Sequence, residues 1–276
     1  MVGFSPIAAW TPPVAPLFVP GDRPDRFAKA AASGADAVIL DLEDAVVAPA
    51  KADARRAVAE CALDRAMLIV RINAPGTPWF ADDLDALARR PPGAVMLPKA
   101  ETAADVVRVT GRLGPQTAVI ALVETAQGLA GLAGLLQGRG VACVAFGSVD
   151  FALDIGCVDS WDVLAPVRME LVVRARAAGL PPPIDGVTRA LDDAEAVGRD
   201  ALRAAQAGFG GKLAIHPRQI GAIHAAFAPS AEDVAWARKV VALAHGGAGQ
   251  VDGQMIDRPV VERATRLLAR AAPAAL

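Results

Sequence analysis

The stretch PLFVPGDRPDRFAKAAASGADAVILDL (Pro16–Leu42) decides the fold of this chain. Two short apolar runs, Pro16–Val19 and Ala37–Leu42, flank Pro24–Ser33, which opens with a proline in the first turn of a predicted helix. Runs that are apolar on both faces are typical of strands in a parallel sheet covered on both sides. The stretch therefore predicts a β-α-β unit.

The same unit recurs along the 276 residues. Further strands are predicted at Leu68–Ile72, Ala94–Leu97, Val119–Val123, Val141–Phe146, Pro183–Val187 and Lys212–Ile215. Helices are predicted at Pro49–Cys61, Pro78–Arg89, Thr102–Leu113, Leu129–Leu136, Trp161–Ala178, Asp192–Ala207 and Pro217–Phe227. Eight such repeats in about 250 residues indicate an α/β fold of the closed (β/α)8 TIM-barrel type. No glycine fingerprint follows the first strand, which argues against a dinucleotide-binding sheet.

The predicted barrel occupies residues 1–228, and residues 229–276 form a C-terminal helical extension. Two helices, Ala231–Ala244 and Arg258–Arg270, are expected in the extension. The segment GGAGQVDGQ (Gly246–Gln254) between them is rich in glycine and is interpreted as a flexible hinge.

Composition excludes several classes of function. The formal net charge is −2 and no basic stripe is present, so nucleic acid is not expected as a partner. No apolar run reaches the roughly 18 residues of a membrane span. The three cysteines lie far apart and suit buried thiols in a reducing cytoplasm, so we expect a cytoplasmic protein.

Polar residues gather at the carboxyl ends of the predicted strands, where TIM barrels carry their chemistry. They are Asp22, Arg23, Asp41, Glu43, Asp44, Arg71, Asn73, Lys99, Glu124, Asp150, Asp185 and His216. Carboxylates that converge on one pole repel one another unless a cation neutralises them. Glu124 and Asp150 directly follow apolar strands, and two such carboxylates suit Mg²⁺, which takes oxygen ligands.

Each of these groups also has a purely structural interpretation. The carboxylates could form a salt-bridged rim around Arg71 and Lys99, and the acidic cluster Asp41–Asp44 could cap the following helix. Arg71, embedded in an apolar strand, needs either a carboxylate partner or a ligand such as a substrate carboxylate or enolate. His216 is either a base or a hydrogen-bonded structural residue.

Several motifs resemble the citrate lyase beta-subunit family, which includes malyl-CoA and citramalyl-CoA lyases. They are LFVPGDRPDRFAKAAASGADAVILDLEDAV (Leu17–Val46), RINAPGT (Arg71–Thr77), MLPKAE (Met96–Glu101), ALVETAQGL (Ala121–Leu129), AFGSVDFALDIG (Ala145–Gly156), GKLAIHPRQI (Gly211–Ile220) and DGQMIDRPVVERA (Asp252–Ala264). They cover nearly the whole chain in the family's order. DLEDAV, ETAQG and GKxxIHPxQI together are highly specific for this family.

The resemblance implies a TIM barrel assembled as a homotrimer or hexamer, with Mg²⁺ held by Glu124 and Asp150. It implies that Arg71 contacts the substrate and that Asp257 is the acid/base carboxylate, which relatives often supply from a neighbouring subunit. The remaining residues carried over from the family are Glu43 and Asp44, which line the site, and Phe18, Arg23 and Lys29, which fall at coenzyme A contacts.

The implied activity is a Mg²⁺-dependent carbon–carbon lyase acting on a short 3-hydroxyacyl thioester such as malyl-, citramalyl- or citryl-CoA. The products are a 2-oxo acid and an acyl-CoA. The thioester partner could also be an acyl carrier protein. Three alternatives remain: a metal-dependent aldolase on free 2-oxo acids, a malate-synthase-like condensing enzyme with a thioesterase step, and a non-catalytic subunit.

Overall fold

The computed structural model describes residues 10–137, 140–244, 250–251 and 254–271 of the chain. Within them, eight parallel strands pair in chain order to form one sheet. The strands are β1 (Pro16–Pro20), β2 (Ala37–Asp41), β3 (Leu68–Arg71), β4 (Ala94–Leu97), β5 (Ala118–Val123), β6 (Val141–Phe146), β7 (Ile184–Asp185) and β8 (Gly211–Lys212). The predicted TIM barrel is confirmed.

The sheet closes on itself between its first and last strands. Beyond β8, Ala214 pairs in parallel with Leu17 of β1. The Phe18 N–H donates to the Ala214 carbonyl at 2.8 Å, and the Ala214 N–H donates to the Pro16 carbonyl at 2.9 Å. Closure removes both sheet edges, so the strands are paired on each side.

Alternate residues of the strands fill the barrel interior. The buried cluster includes Ile39 of β2, Ile69 of β3 and Leu122 of β5. Because side chains alternate between the two faces of a strand, the residues two positions further on face the same way. Those residues are Asp41, Arg71 and Glu124. The barrel interior is therefore apolar along the middle of the strands and ionic at their carboxyl ends.

Helices alternate with the strands. They are α1 (Phe27–Ala31), α2 (Lys51–Ala59), α3 (Phe80–Leu87), α4 (Ala103–Leu113), α5 (Ala126–Leu136), α6 (Ser148–Ile155), α7 (Trp161–Ala177), α8 (Ala194–Ala207) and α9 (Ile220–Phe227). Thr125 caps α5, its hydroxyl accepting from the Gly128 N–H at 3.0 Å. This cap starts α5 three residues earlier than the predicted Leu129.

The structure differs from the local predictions in three places: two strands are shorter than predicted, and one helix is additional. The seventh and eighth strands were predicted over Pro183–Val187 and Lys212–Ile215, but only Ile184–Asp185 and Gly211–Lys212 form strands. Helix α6 was not predicted. The predicted hinge overlaps two short strands, β9 (Gln250–Val251) and β10 (Gln254–Met255), which pair antiparallel; its other residues lie outside the described part of the chain.

Contacts divide the chain into two compact units, Met1–His224 and Ala225–Leu276. In the second unit, α10 (Ala231–Ala244) and α11 (Arg258–Ala271) pack through Ala237, Val240 and Ala264. Among the described residues, no helix combines the length and apolar character needed to cross a bilayer.

Candidate active site

A cavity of about 330 Å³ opens at the carboxyl end of the barrel strands. Apolar side chains, among them Phe18, Leu122 and Phe146, line part of its wall. The ionic side chains that line it are Asp41, Asp44, Arg71, Glu124 and Asp150. The structure therefore brings four predicted site residues other than Phe18 to one cavity: Asp44, Arg71, Glu124 and Asp150.

Arg71 is held by carboxylates from β2 and the turn after it. Its Nε and Nη2 donate to the two oxygens of Asp41 at 2.7 and 2.6 Å. Glu43 Oε2 lies 3.0 Å from Arg71 Nη1, but at an angle that makes no hydrogen bond, so this contact is mainly Coulombic. Burial opposes the charge on Arg71, but Asp41 and Glu43 outweigh it and raise its pKa.

The pairing of β2 with β3 explains the Asp41 partner. Asp41 and Arg71 are register partners on the adjacent strands, so their inward-facing side chains lie side by side. The same Asp41 accepts hydrogen bonds from the Glu43 and Ala45 N–H groups at 2.8 and 3.0 Å. Asp41 thus caps the turn and holds Arg71 at once, which combines the two structural interpretations drawn from the sequence.

Lys99 bridges the two glutamates of the site. Its Nζ lies 3.2 Å from Glu43 Oε1 and 3.6 Å from Glu124 Oε1. Burial lowers the pKa of Lys99, but Glu43 and Glu124 outweigh this and raise it. The backbone of Lys99 has φ 46°, in the left-handed region that a non-glycine residue seldom adopts. This conformation aims its N–H at Glu124 Oε1, 2.9 Å away.

Only one of the two carboxylate oxygens of Glu124 has a hydrogen-bond partner among the described residues. Oε1 accepts from Lys99, whereas the buried Oε2 has no hydrogen-bond partner among the described residues. Burial, followed by the nearby Glu43 carboxylate, raises the pKa of Glu124 from 4.5 to about 8, against the opposing Lys99 and Arg71. A buried carboxylate oxygen without a donor is costly, so Oε2 is suited to a cation or a donor that enters the cavity.

Asp150 reaches the same cavity from the first turn of α6. Between β6 and α6, Gly147 leaves room for Glu124, because a Cβ at this position would lie 2.6 Å from Glu124 Oε2. Ser148, also buried in the cavity wall, carries a hydroxyl without a hydrogen-bond partner among the described residues. The link from β6 to α6 therefore supplies a carboxylate while leaving space beside Glu124.

These residues fit a magnesium ion. In the described residues, no three His, Cys, Asp or Glu side chains are grouped to hold a metal. Mg²⁺ does not require such a group, because it commonly takes one or two protein carboxylates and completes its shell with water and substrate. The unused Oε2 of Glu124 and the half-buried Asp150 carboxylate supply that minimal set of hard oxygen ligands.

The residues predicted to contact coenzyme A occupy different environments. Phe18 lines the cavity, and its ring lies 4.9 Å from the Arg71 guanidinium carbon. Arg23 lies on the loop after β1 and makes two 3.0 Å hydrogen bonds to Asp25. Lys29 is exposed on α1.

Asp257 lies in the second unit, where it is exposed and caps α11. Its Oδ1 accepts from the Val260 N–H at 3.1 Å. Its assignment as the acid/base carboxylate stays a prediction.

Two strand-end residues considered from the sequence have structural partners. Asp185 faces the outer layer, where Arg168 of α7 and Lys212 of β8 bind its oxygens at 2.8 and 3.0 Å. Because its neighbour Ile184 belongs to the barrel interior, Asp185 points away from the cavity, and its expected place among the converging carboxylates was wrong. His216 Nδ1 accepts from the Arg218 N–H at 3.2 Å and caps the helical turn Pro217–Gln219. This contact agrees with the interpretation of His216 as a hydrogen-bonded structural residue.

Fold and cavity together define a TIM-barrel protein whose site combines acidic side chains with one partly buried arginine. Residues 15–217 match the family HpcH/HpaI aldolase/citrate lyase. The chain belongs to this family, which comprises aldolase and citrate lyase enzymes. The predicted family resemblance is thereby confirmed.

Individual relatives extend over almost the whole chain. A citrate lyase subunit beta-like protein from Mycobacterium tuberculosis is 42% identical over 267 residues, covering 94% of this chain and 95% of the relative. A (3S)-malyl-CoA thioesterase from Cereibacter sphaeroides is 34% identical, covering 92% of this chain and 93% of the relative. The structure of CitE from M. tuberculosis, in complex with magnesium, acetoacetate and coenzyme A, is 41% identical with a TM-score of 0.85, covering 96% of this chain and 99% of that one.

Proposed function

We propose that this protein is a Mg²⁺-dependent carbon–carbon lyase that cleaves a short 3-hydroxyacyl-CoA to a 2-oxo acid and an acyl-CoA. The observation that carries the proposal is the unused, buried Oε2 of Glu124 in a cavity shared with Asp150 and Arg71. The relative with 41% identity and a TM-score of 0.85 is described with magnesium, a 3-oxo acid and coenzyme A, which supports both the metal and the class of thioester.

In this proposal, Glu124 and Asp150 hold the metal. When bound, Mg²⁺ supplies a Lewis acid that polarises the substrate's hydroxyl and carboxylate oxygens. Lys99 keeps Glu124 in place through its N–H and its ammonium. Apolar side chains that include Leu122 and Phe146 form part of the cavity wall, and a wall of low polarity strengthens the charge interactions beside it.

Arg71 is suited to stabilise the charge that develops during cleavage. The substrate hydroxyl gives its proton to water, and its oxygen becomes the carbonyl of the 2-oxo acid as the carbon–carbon bond breaks. The electrons of that bond pass to the acyl-CoA fragment as an enolate. Asp41 engages two of the five N–H donors of Arg71. The remaining donors can bind the enolate oxygen, and the fixed guanidinium needs little reorganisation to do so.

The proton that completes the acyl-CoA has to reach the enolate carbon. We assign this step to Asp257, acting within its own chain or from a neighbouring subunit of a homotrimer or hexamer. In the condensing direction the same carboxylate removes that proton. Phe18, Arg23 and Lys29 are assigned to the coenzyme A moiety, and Glu43 and Asp44 to support of Arg71 and of water near the metal. We place this enzyme in the cytoplasm.

A second candidate function is hydrolysis of the same thioester. It is favoured by the 34% identical relative from C. sphaeroides, a (3S)-malyl-CoA thioesterase. This reaction uses the same class of substrate but breaks the carbon–sulfur bond instead of a carbon–carbon bond.

Two product assays run in parallel distinguish the candidates. Malyl-CoA, citramalyl-CoA and citryl-CoA are each supplied with Mg²⁺ and then with EDTA. The lyase releases a 2-oxo acid that phenylhydrazine traps, without a free thiol. The thioesterase releases the thiol of coenzyme A without an oxo acid. Release of thiol alone would refute the lyase proposal, and release of neither product from any of them would refute both.

A further inference from the structure

Lys51, the first residue of α2, is a buried lysine whose donors are fully used. Only 7% of its surface is exposed. Its Nζ donates to the carbonyls of Leu42 and Glu43, each at 2.7 Å, and to Asn73 Oδ1 at 2.6 Å. An ammonium has three N–H donors, so these neutral acceptors saturate it.

The acceptor on Asn73 is itself fixed. The Asn73 side-chain amide donates to Asp83 at 2.7 Å, and the Asn73 backbone N–H donates to the same oxygen at 2.8 Å. The amide NH2 therefore faces Asp83 of α3, and its oxygen faces Lys51. Arg55 of α2 binds the other oxygen of Asp83 at 2.9 Å. This network joins the turn after β2 to the loop after β3.

The turn after β2 carries Glu43, whose carboxylate is shared between Arg71 and Lys99. On one side, Asp41 binds the N–H groups of this turn. On the other side, Lys51 binds its carbonyls, and the Glu43 carbonyl also accepts from the Val46 N–H at 3.0 Å. The backbone of Glu43 is thus held from both ends while its carboxylate reaches into the site.

We propose that Lys51 is a positioning residue that fixes the backbone of Glu43 and, through the Glu43 carboxylate, sets Arg71 and Lys99. Lys51 itself bonds to main-chain and amide oxygens, outside the set of residues that line the cavity. The expected effect on turnover rests on the proposed lyase function. The expected effect on the turn rests on the geometry alone.

The test compares Lys51→Met with Lys212→Met. Methionine keeps an unbranched side chain that is only one heavy atom shorter, and it removes all three donors. Lys212 is also a buried lysine, bonded to Asp185 and to the Gly186 carbonyl, so its replacement controls for the general loss of a buried ammonium. Amide hydrogen exchange is measured residue by residue, and steady-state kinetics are measured on the thioester that the wild type cleaves.

We expect Lys51→Met to exchange the Ala45 and Val46 amides at least about tenfold faster than the wild type, because their turn opens locally. Its kcat should fall by about 10²-fold, as for a misplacement of about 1 Å, with KM changed less than about threefold. In Lys212→Met, the Ala45 and Val46 amides should exchange no faster than the loss of global stability in that variant accounts for. If Lys51→Met does not fold, Lys51→Gln, whose amide keeps two donors, takes its place.

The outcomes separate this inference from the proposed function. Faster exchange confined to the turn supports the positioning role even if the wild type cleaves no thioester. That lack of cleavage would overturn the lyase and thioesterase proposals but not the positioning role. Wild-type exchange at Ala45 and Val46 in a folded Lys51 variant would overturn the positioning role. An equal, chain-wide increase in both variants would overturn it too, because Lys51 would then matter for global stability alone.

Discussion

Replacing Gly147 with alanine tests how Glu124 is accommodated. Gly147 has φ −93°, which alanine can adopt, so backbone strain does not enter. An added Cβ would lie 2.6 Å from both Cβ and Oε2 of Glu124. Carbon atoms pack at about 3.5–4.0 Å, so Glu124 must move by about 1 Å, against the hydrogen bond that Lys99 donates to it.

The expected cost to folding is about 1–3 kcal/mol, as for other overpacked sites, measured by urea denaturation. The affinity for Mg²⁺, measured by titration calorimetry, should fall about 10–100-fold, a size typical of disturbed metal-ligand support. Gly198→Ala is the matched control, because a Cβ there meets nothing within 4 Å in α8. It should stabilise the protein by about 0.5–1 kcal/mol. Wild-type Mg²⁺ affinity and stability in Gly147→Ala would refute the reasoning.

Three further predictions concern charged groups. Burial raises the pKa of Glu124 from 4.5 to about 8. The protonated Glu124 therefore contributes fully to the stability of the metal-free protein below pH 4.5, and this contribution is lost as pH rises through 8. The free energy of unfolding, measured by urea denaturation from pH 5 to 9, should fall accordingly, and Glu124→Gln should remove this pH dependence. Arg71→Lys loses the paired hydrogen bonds to Asp41, so kcat should fall about 10²–10³-fold. The Mg²⁺ affinity measured by calorimetry should stay close to that of the wild type. An unchanged kcat would exclude Arg71 from the chemistry. Asp185→Leu leaves two buried cations without their carboxylate, so the free energy of unfolding measured in urea should fall by about 3–5 kcal/mol. Asp53→Ala, at an exposed ion pair, should change it by no more than about 0.5 kcal/mol. Equal effects of the two variants would contradict this account.

The barrel and the position of its ionic cluster could be predicted because both follow from local pattern. Strands such as Ala37–Asp41 are apolar on both faces and end in charged residues. In a closed parallel barrel these ends meet at one pole. The seventh strand is shorter than predicted and follows Pro181–Pro183, whose prolines cannot donate to a sheet ladder.

Helix α6 was missed because its eight residues directly follow an apolar strand and its periodicity is too short to detect. A local signal did exist. Gly156, at φ 73°, ends α6 in the left-handed conformation, and Gly147 precedes its first residue. A glycine on each side of a short run favours a separate helical turn.

Lys51 could not be found from the sequence. It stands among charged residues at the start of a helix and has the pattern of an exposed side chain. Its partners lie 8, 9 and 22 residues away on other segments. Likewise, the pairing of Arg71 with Asp41 spans 30 residues and depends on the register between β2 and β3. Tertiary packing alone determines such contacts.

The central proposal is a metal-dependent cleavage that needs the unused oxygen of Glu124. The measurement that tests it most directly follows release of the 2-oxo acid from malyl-, citramalyl- or citryl-CoA by the wild type and by Glu124→Gln, with Mg²⁺ and with EDTA. We expect release by the wild type with Mg²⁺, loss of that release in EDTA, and a decrease of at least about 10²-fold in Glu124→Gln. Release that persists in EDTA, or that Glu124→Gln retains in full, would contradict it.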